Sequence, residues 1–196
     1  MQKLIKQMLL EGNGMIKASE ARLAGVNNKE LQRLTESGEL ERISHGLYID
    51  AEHMEDDYFI TQYRCKKGVY SHETALFFHN LSDRTPLRLM MTIPNGYNTR
   101  LLKDKKIYQF FYCKPEVHTV GITTVKSPFG HEIRVYNKER TICDCIKKKD
   151  KLNSSIVLEG VKRYMNESGN DYALLLQYAQ MLNIRDTVRQ YLEVLG

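Results

Sequence analysis

The chain has 196 residues, 42% of them hydrophobic, with 29 Lys and Arg against 24 Asp and Glu, and a formal charge of +5. That is enough apolar matter for one large domain or two modest ones, and the mildly basic balance permits a nucleic-acid partner without requiring one. No run of about 18 apolar residues occurs, so no membrane-spanning helix is expected; the four cysteines, Cys65, Cys113, Cys143 and Cys145, lack a disulfide-framework pattern and point to reduced thiols in a cytoplasm.

Residues 1–10, MQKLIKQMLL, have too short an apolar core for a signal peptide and no small-residue cleavage site. They read as an amphipathic helix over 1–11, with Leu4, Ile5, Met8 and Leu9 on one side. Glu11-Gly12-Asn13-Gly14 is a turn, and Met15-Ile16 suits a short strand.

The stretch from Lys17 to Asp50 carries the strongest signal. Ala21, Leu23 and Ala24 supply the apolar side of a short helix, and Gly25 follows where a helix end tolerates the left-handed conformation. Asn27 caps the next helix, with Glu30 three residues on as a variant capping box. Leu31 and Leu34 must share its buried face. Lys29, Gln32, Arg33 and Glu36 share the wet one. Gly38 stops the helix, and two strands flank Ser44-His45-Gly46, a hairpin turn with the required glycine. Helix, turn, helix and β-ribbon make a winged helix-turn-helix, whose second helix enters a DNA major groove with the wing beside it. Arg33 suits bidentate bonding to guanine, and Gln32 or Asn28 to adenine. Lys29 suits a phosphate, while Arg42, Ser44 and His45 on the wing suit the backbone or minor groove. The same module also serves proteins as a docking domain. Residues 1–50 hold seven Lys/Arg and seven Asp/Glu, so this segment lacks the net charge that drives counterion release from DNA.

Residues 51–57, AEHMEDD, suit a junction, which gives a domain over 1–57 and a second over 58–196. Tyr58–Cys65 reads as a helix and Val69-Tyr70 as a short strand. Ser71 caps a helix that carries Ala75, Leu76 and Phe78 into a core and ends at His79-Asn80. Strands are expected over 87–93, 106–113, 117–125 and 132–136, and a helix over 138–148 begun by the cap Asn137. Helices over 154–166, 171–182 and 184–195 complete the chain. The fold class is therefore α+β: a winged helix-turn-helix, then a mixed α/β domain with a small sheet and a helical C-terminal part.

Chemistry-bearing patterns are sparse. Cys143 and Cys145 are two apart on a helix, hence on different faces, with no second CxxC pair, so no zinc is expected. His72-Glu73 and His79 share a helix without HExxH spacing. No GxSxG elbow, Ser/His/Asp order, Gly-rich phosphate loop or close acidic cluster appears. No metal, cofactor or enzymatic activity is expected; the alternatives are a nucleic-acid-processing enzyme with an unrecognised site in the second domain, or a protein-docking adaptor. Between Arg100 and Lys151, 13 Lys/Arg stand against 6 Asp/Glu. Lys103, Lys105, Lys106, Arg134, Lys138, Lys147, Lys148 and Lys149 from this segment are candidates for DNA-backbone contacts, or else simply a solvated surface. Arg140 and Asp144 are four apart and suit a pair along their helix.

The wing segment SGELERISHGLYI, the stretch GVYSHETALFFHNLSD from Gly68 to Asp83, and VYNKERTICDC from Val135 to Cys145 together resemble the AbiEi family of antitoxins, transcriptional regulators of abortive-infection type IV toxin–antitoxin systems. The resemblance covers nearly the whole chain. It implies a cytoplasmic bacterial protein active in phage defence, whose winged helix represses its own operon at inverted repeats of double-stranded DNA. It also implies a C-terminal antitoxin domain that opposes a nucleotidyltransferase-like toxin without a stable complex, and no membrane partner. Lys17 departs from the family pattern, standing where a Thr or Ser cap is common.

Overall fold

Two small sheets, one of three strands and one of five, organise ten α-helices in this mixed α/β chain, counted over the described residues. The computed structural model describes every residue except Met1, Leu101 and Gly196, so the expected helical start at Met1 lies outside it. Two compact units emerge: Met1–Arg64 with Lys126–Glu132, and Cys65–Val125 with Ile133–Gly196.

The first unit contains α1 (Gln2–Glu11), β1 (Met15–Lys17), α2 (Ala18–Leu23), α3 (Asn28–Glu36), β2 (Leu40–Ser44), β3 (Leu47–Asp50) and α4 (Asp57–Arg64). The strands run in the order β1-β3-β2, antiparallel, with Ile16 opposite Tyr48 and Arg42 on its other side. Successive side chains of a strand point to opposite faces. Tyr48 accordingly joins Ile5, Ile16, Ala21, Val26, Leu31, Leu34 and Leu40 in one core. Leu47 and Ile49 turn the other way, onto Met15 and Ile60 of α4, with Phe59 and Tyr63 alongside. A central strand apolar on both faces needs a cover on both, and α4 is the second cover. For that reason the unit runs to Arg64 rather than to the 57 at which composition changes. Leu23 and Ala24, expected inward, are exposed; Ala21 alone of the three is buried, and Val26 completes the α2 side of the core.

The second unit contains β4 (Val69–Tyr70), α5 (His72–Phe78), β5 (Leu89–Pro94), β6 (Tyr108–Cys113), α6 (Pro115–His118), β7 (Ile122–Lys126), β8 (Glu132–Tyr136), α7 (Lys138–Lys147), a 3-10 turn (Lys149–Lys151), α8 (Ser154–Asn166), α9 (Tyr172–Met181) and α10 (Arg185–Leu195). Its sheet order is β6-β5-β4-β8-β7, with β4 antiparallel to β5 and parallel to β8, and β5 parallel to β6. The strand expected over 117–125 is shorter: Pro115 stands at the start of a helix, where its fixed φ and missing N–H cost nothing, and Val117 and His118 are helical. Asn137, Asn153 and Asp171 each cap the following helix with a side-chain oxygen. Ile142, Cys143, Cys145 and Ile146 of α7 pack with Leu76, Val161, Tyr164, Leu175 and Val188 in the helical core.

Candidate nucleic-acid interface

α3 owes its position to its own sequence. The Asn27 side chain accepts a hydrogen bond from the Glu30 amide at 2.9 Å, and Leu31 and Leu34 are buried at 0% and 2% exposure. Burying two leucines contributes about 3–6 kcal/mol, enough to fix the helix axis. Asn28, Lys29, Gln32 and Arg33 are then all exposed on the remaining face. The capping box is only half made. The Glu30 carboxylate does not return to Asn27 but accepts Arg33 Nε at 3.2 Å and Nη2 at 2.9 Å. This contact holds the Glu30 carboxyl below its ordinary range and raises the Arg33 guanidinium. Gln32 donates to Glu36 at 2.9 Å. Arg33 and Gln32 are thus both paired with acidic neighbours along the helix. Exposed pairs of this kind are weak, about 1 kcal/mol or less, so phosphates or base edges compete with them readily.

The β2–β3 turn is held from outside. Gly46 has φ +72°, a conformation glycine adopts freely, and a Cβ there would lie 3.2 Å from the Tyr63 hydroxyl. Tyr63 Oη donates to the His45 carbonyl at 3.1 Å, and Arg64 Nη2 to the Ile43 carbonyl at 2.7 Å. The Gly46 carbonyl accepts the Ala18 amide at 2.9 Å, at the first residue of α2. Lys17 makes no side-chain cap there; its ammonium reaches Glu20 at 2.8 Å. The turn therefore stands in for the missing cap. Arg42 and His45 are exposed and Ser44 is half-buried. Neither Tyr63 nor Arg64 stood out in the sequence: both sit at the end of an ordinary amphipathic helix, and their partners are 18 and 21 residues away.

In the second unit the eight basic candidates divide. Lys103, Lys105 and Lys106 are exposed between β5 and β6. Arg134 donates to the carbonyls of Lys66 and Gly68. Lys138 pairs with Glu167, Lys147 donates to the Leu182 carbonyl at 2.8 Å, and Lys149 lies 5.9 Å from the Tyr191 ring centre. Lys148 lines a cleft beside α7. The basic segment is therefore not one uninterrupted set of free cations.

Arg140 is more than a rung of a helix ladder. At 1% exposure it donates through Nε to Asp144 at 3.0 Å and through Nη1 to the carbonyls of Val117 and Val120 at 2.9 and 3.1 Å. Its guanidinium also stacks 4.5 Å from the Tyr136 ring centre. The side chain ties α7 to α6 and the segment that follows it. Ser71 precedes α5 as expected but makes no cap; its hydroxyl faces His72 and Thr92 instead.

No curated protein matches the sequence. Residues 4–49, from α1 through β3, match the family model described as transcriptional regulator, AbiEi antitoxin. That segment, which holds α3 and the β2–β3 turn, is what the chain has in common with the AbiEi antitoxin transcriptional regulators.

Proposed function

We propose that the first unit works as a winged helix-turn-helix: α3 enters the major groove of double-stranded DNA and the β2–β3 turn is the wing. Asn28, Gln32 and Arg33 read bases, Lys29 meets a phosphate, and Arg42, Ser44 and His45 follow the backbone or minor groove. One observation carries this reading. Four polar side chains capable of these bonds share the open face of a helix whose other face is locked by Leu31 and Leu34. On the family resemblance, the DNA is a set of inverted repeats in the protein's own promoter, and binding represses the operon. The chain beyond residue 57 then acts as the antitoxin against a nucleotidyltransferase-like toxin in the bacterial cytoplasm, in phage defence, without forming a stable complex.

Gel shifts on promoter and scrambled duplexes test the reading helix. Arg33→Ala and Gln32→Ala should each cost about 1–3 kcal/mol on the promoter sequence and little on scrambled DNA. If both variants match wild type on both duplexes, α3 is not the reader. Growth rescue by a chain lacking α1–α3 tests the division of labour; rescue by the first unit alone would reverse it.

A further inference from the structure

A cleft of about 380 Å³ in the second unit lies among α5, β5, β6, α7 and the end of α9. It is within the size range of small-molecule sites. Its charged lining is Lys114, Arg140, Lys147 and Lys148 against the single carboxylate Asp144, four positive to one negative. Asp144 is already taken by Arg140. The Lys147 ammonium donates to the Leu182 carbonyl, and the ammonium groups of Lys114 and Lys148 make no hydrogen bond or ion pair among the described residues. The local field therefore favours an anion.

The floor of the cleft is His72. It is 2% exposed and stacks on Phe111 with ring centres 3.6 Å apart. Its backbone is at φ +54°, in the left-handed region that costs a non-glycine residue free energy and recurs at binding sites. Burial pushes its pKa down, so the ring is neutral. Thr92 Oγ1 donates to Ser71 Oγ at 2.9 Å, and Ser71 Oγ pairs with His72 Nδ1 at 2.8 Å. Nε2 is then the ring nitrogen left for a ligand. Nε2 has no hydrogen-bond partner among the described residues. At the rim, Tyr112 exposes 55% of its surface, and Asn95 and Asn183 offer amides, Asn183 also at positive φ (+57°).

We propose that this cleft binds a nucleoside phosphate, either free or as the phosphorylated end of a single strand. The phosphate sits between Lys114, Lys148 and His72 Nε2, selecting the tautomer protonated at Nε2, and the base stacks on Tyr112 with its edge read by the asparagines. This site is independent of DNA reading by α3 and stands or falls separately from it.

The test is an NMR and calorimetric titration of the full chain with AMP, UMP, adenosine, inorganic phosphate and a 5′-phosphorylated dinucleotide. The monophosphates should shift the amides of Lys114, Lys148 and Asn183, and adenosine should bind about tenfold or more weakly than AMP. Lys148→Glu and Lys114→Glu, at a half-buried and an exposed side chain, should weaken AMP about tenfold while leaving the melting temperature in place. Lys148→Arg should keep binding, and His72→Asn is a deeper check read only if its melting curve remains cooperative. Dinucleotide binding about tenfold tighter than AMP identifies a strand end as the ligand, and equal affinity identifies the free nucleotide. No shift at these amides with 5 mM AMP overturns the proposal, as does AMP binding unchanged by Lys148→Glu, or phosphate binding as tightly as AMP.

Discussion

Asp56 shows how one buried carboxylate can be read for its effect on stability. It is fully buried, and its Oδ1 accepts the amides of Tyr58 and Phe59 at 3.1 Å each. Oδ2 accepts Ser127 Oγ at 2.5 Å and lies 2.7 Å from His131 Nδ1. Burial pushes the carboxyl up, but bonds from His131, Ser127 and the Phe59 amide together outweigh it and hold the carboxyl below its ordinary value of 3.8. Because the folded value lies below the unfolded one, Asp56 stabilises the fold fully above about pH 4 and loses that contribution as pH falls through the folded value. Melting temperatures between pH 7 and pH 2.5 should fall steeply below about pH 4 in wild type and less so in Asp56→Asn. His131→Ala, which strips the carboxylate of a buried partner, should cost about 3 kcal/mol by chemical denaturation at pH 7. None of this was legible in the sequence: AEHMEDD reads as a polar junction, and nothing local marks Asp56 off from Asp57 or ties it to a histidine 75 residues away. Leu31 and Leu34 were legible for the opposite reason, since their spacing alone determines which face they share.

At the scale of elements, the β2–β3 turn depends on α4. The Arg64 guanidinium meets the Ile43 carbonyl next to the irregularity between Arg42 and Ser44, where the β2 register shifts. A half-buried, charge-assisted bond of this kind contributes about 1–2 kcal/mol. Arg64→Ala should lower stability by that amount and speed amide exchange at residues 43–46 ahead of the rest of the sheet. Unchanged exchange there would show that the turn holds itself. The sequence announced most elements within a residue or two, because caps such as Asn27 and Asn137 and the glycine of the Ser44-His45-Gly46 turn are local signals. It misplaced the chain over 117–121, where Val-rich composition suggested a strand and Pro115 had already begun a helix. The cap of α2 was equally hidden, since the group that replaces it is a backbone carbonyl from Gly46.

At the scale of the whole chain, the first fifty residues carry no net charge, so salt dependence reports whether anything else touches DNA. Log affinity falls by about 0.9 per log salt for each phosphate neutralised. If the second unit contributes contacts, full-length protein should show a steeper slope than the first unit alone. Reversal of Lys103, Lys105 and Lys106 to Glu should then flatten that slope, with equal loss on promoter and scrambled DNA. Reversal of Lys147, Lys148 and Lys149 should do less, because Lys147 and Lys149 are engaged with the Leu182 carbonyl and the Tyr191 ring. Equal slopes for the two proteins would leave the second unit off the DNA. The charge excess itself was plain in the sequence; which lysines are occupied depends on α9 and α10, which approach α7 only after folding.

The tip of the β7–β8 hairpin, residues 126–132, belongs to the first unit, and this sets a timetable for synthesis. After Arg64 leaves the peptidyl-transferase centre, 68 more residues must be added before Glu132 exists (132 minus 64). At about 5–20 residues per second this takes about 3–14 s. Throughout that interval Asp56 has its two helix amides but neither Ser127 nor His131, and the unit is short of its buried partners. Nascent chains stalled with residues 1–64 exposed should be cut readily by protease, and those stalled with residues 1–140 exposed should resist. If α3 reads DNA as proposed, DNA competence then lags behind the synthesis of α3 and follows the emergence of a segment that forms no part of the proposed reading surface.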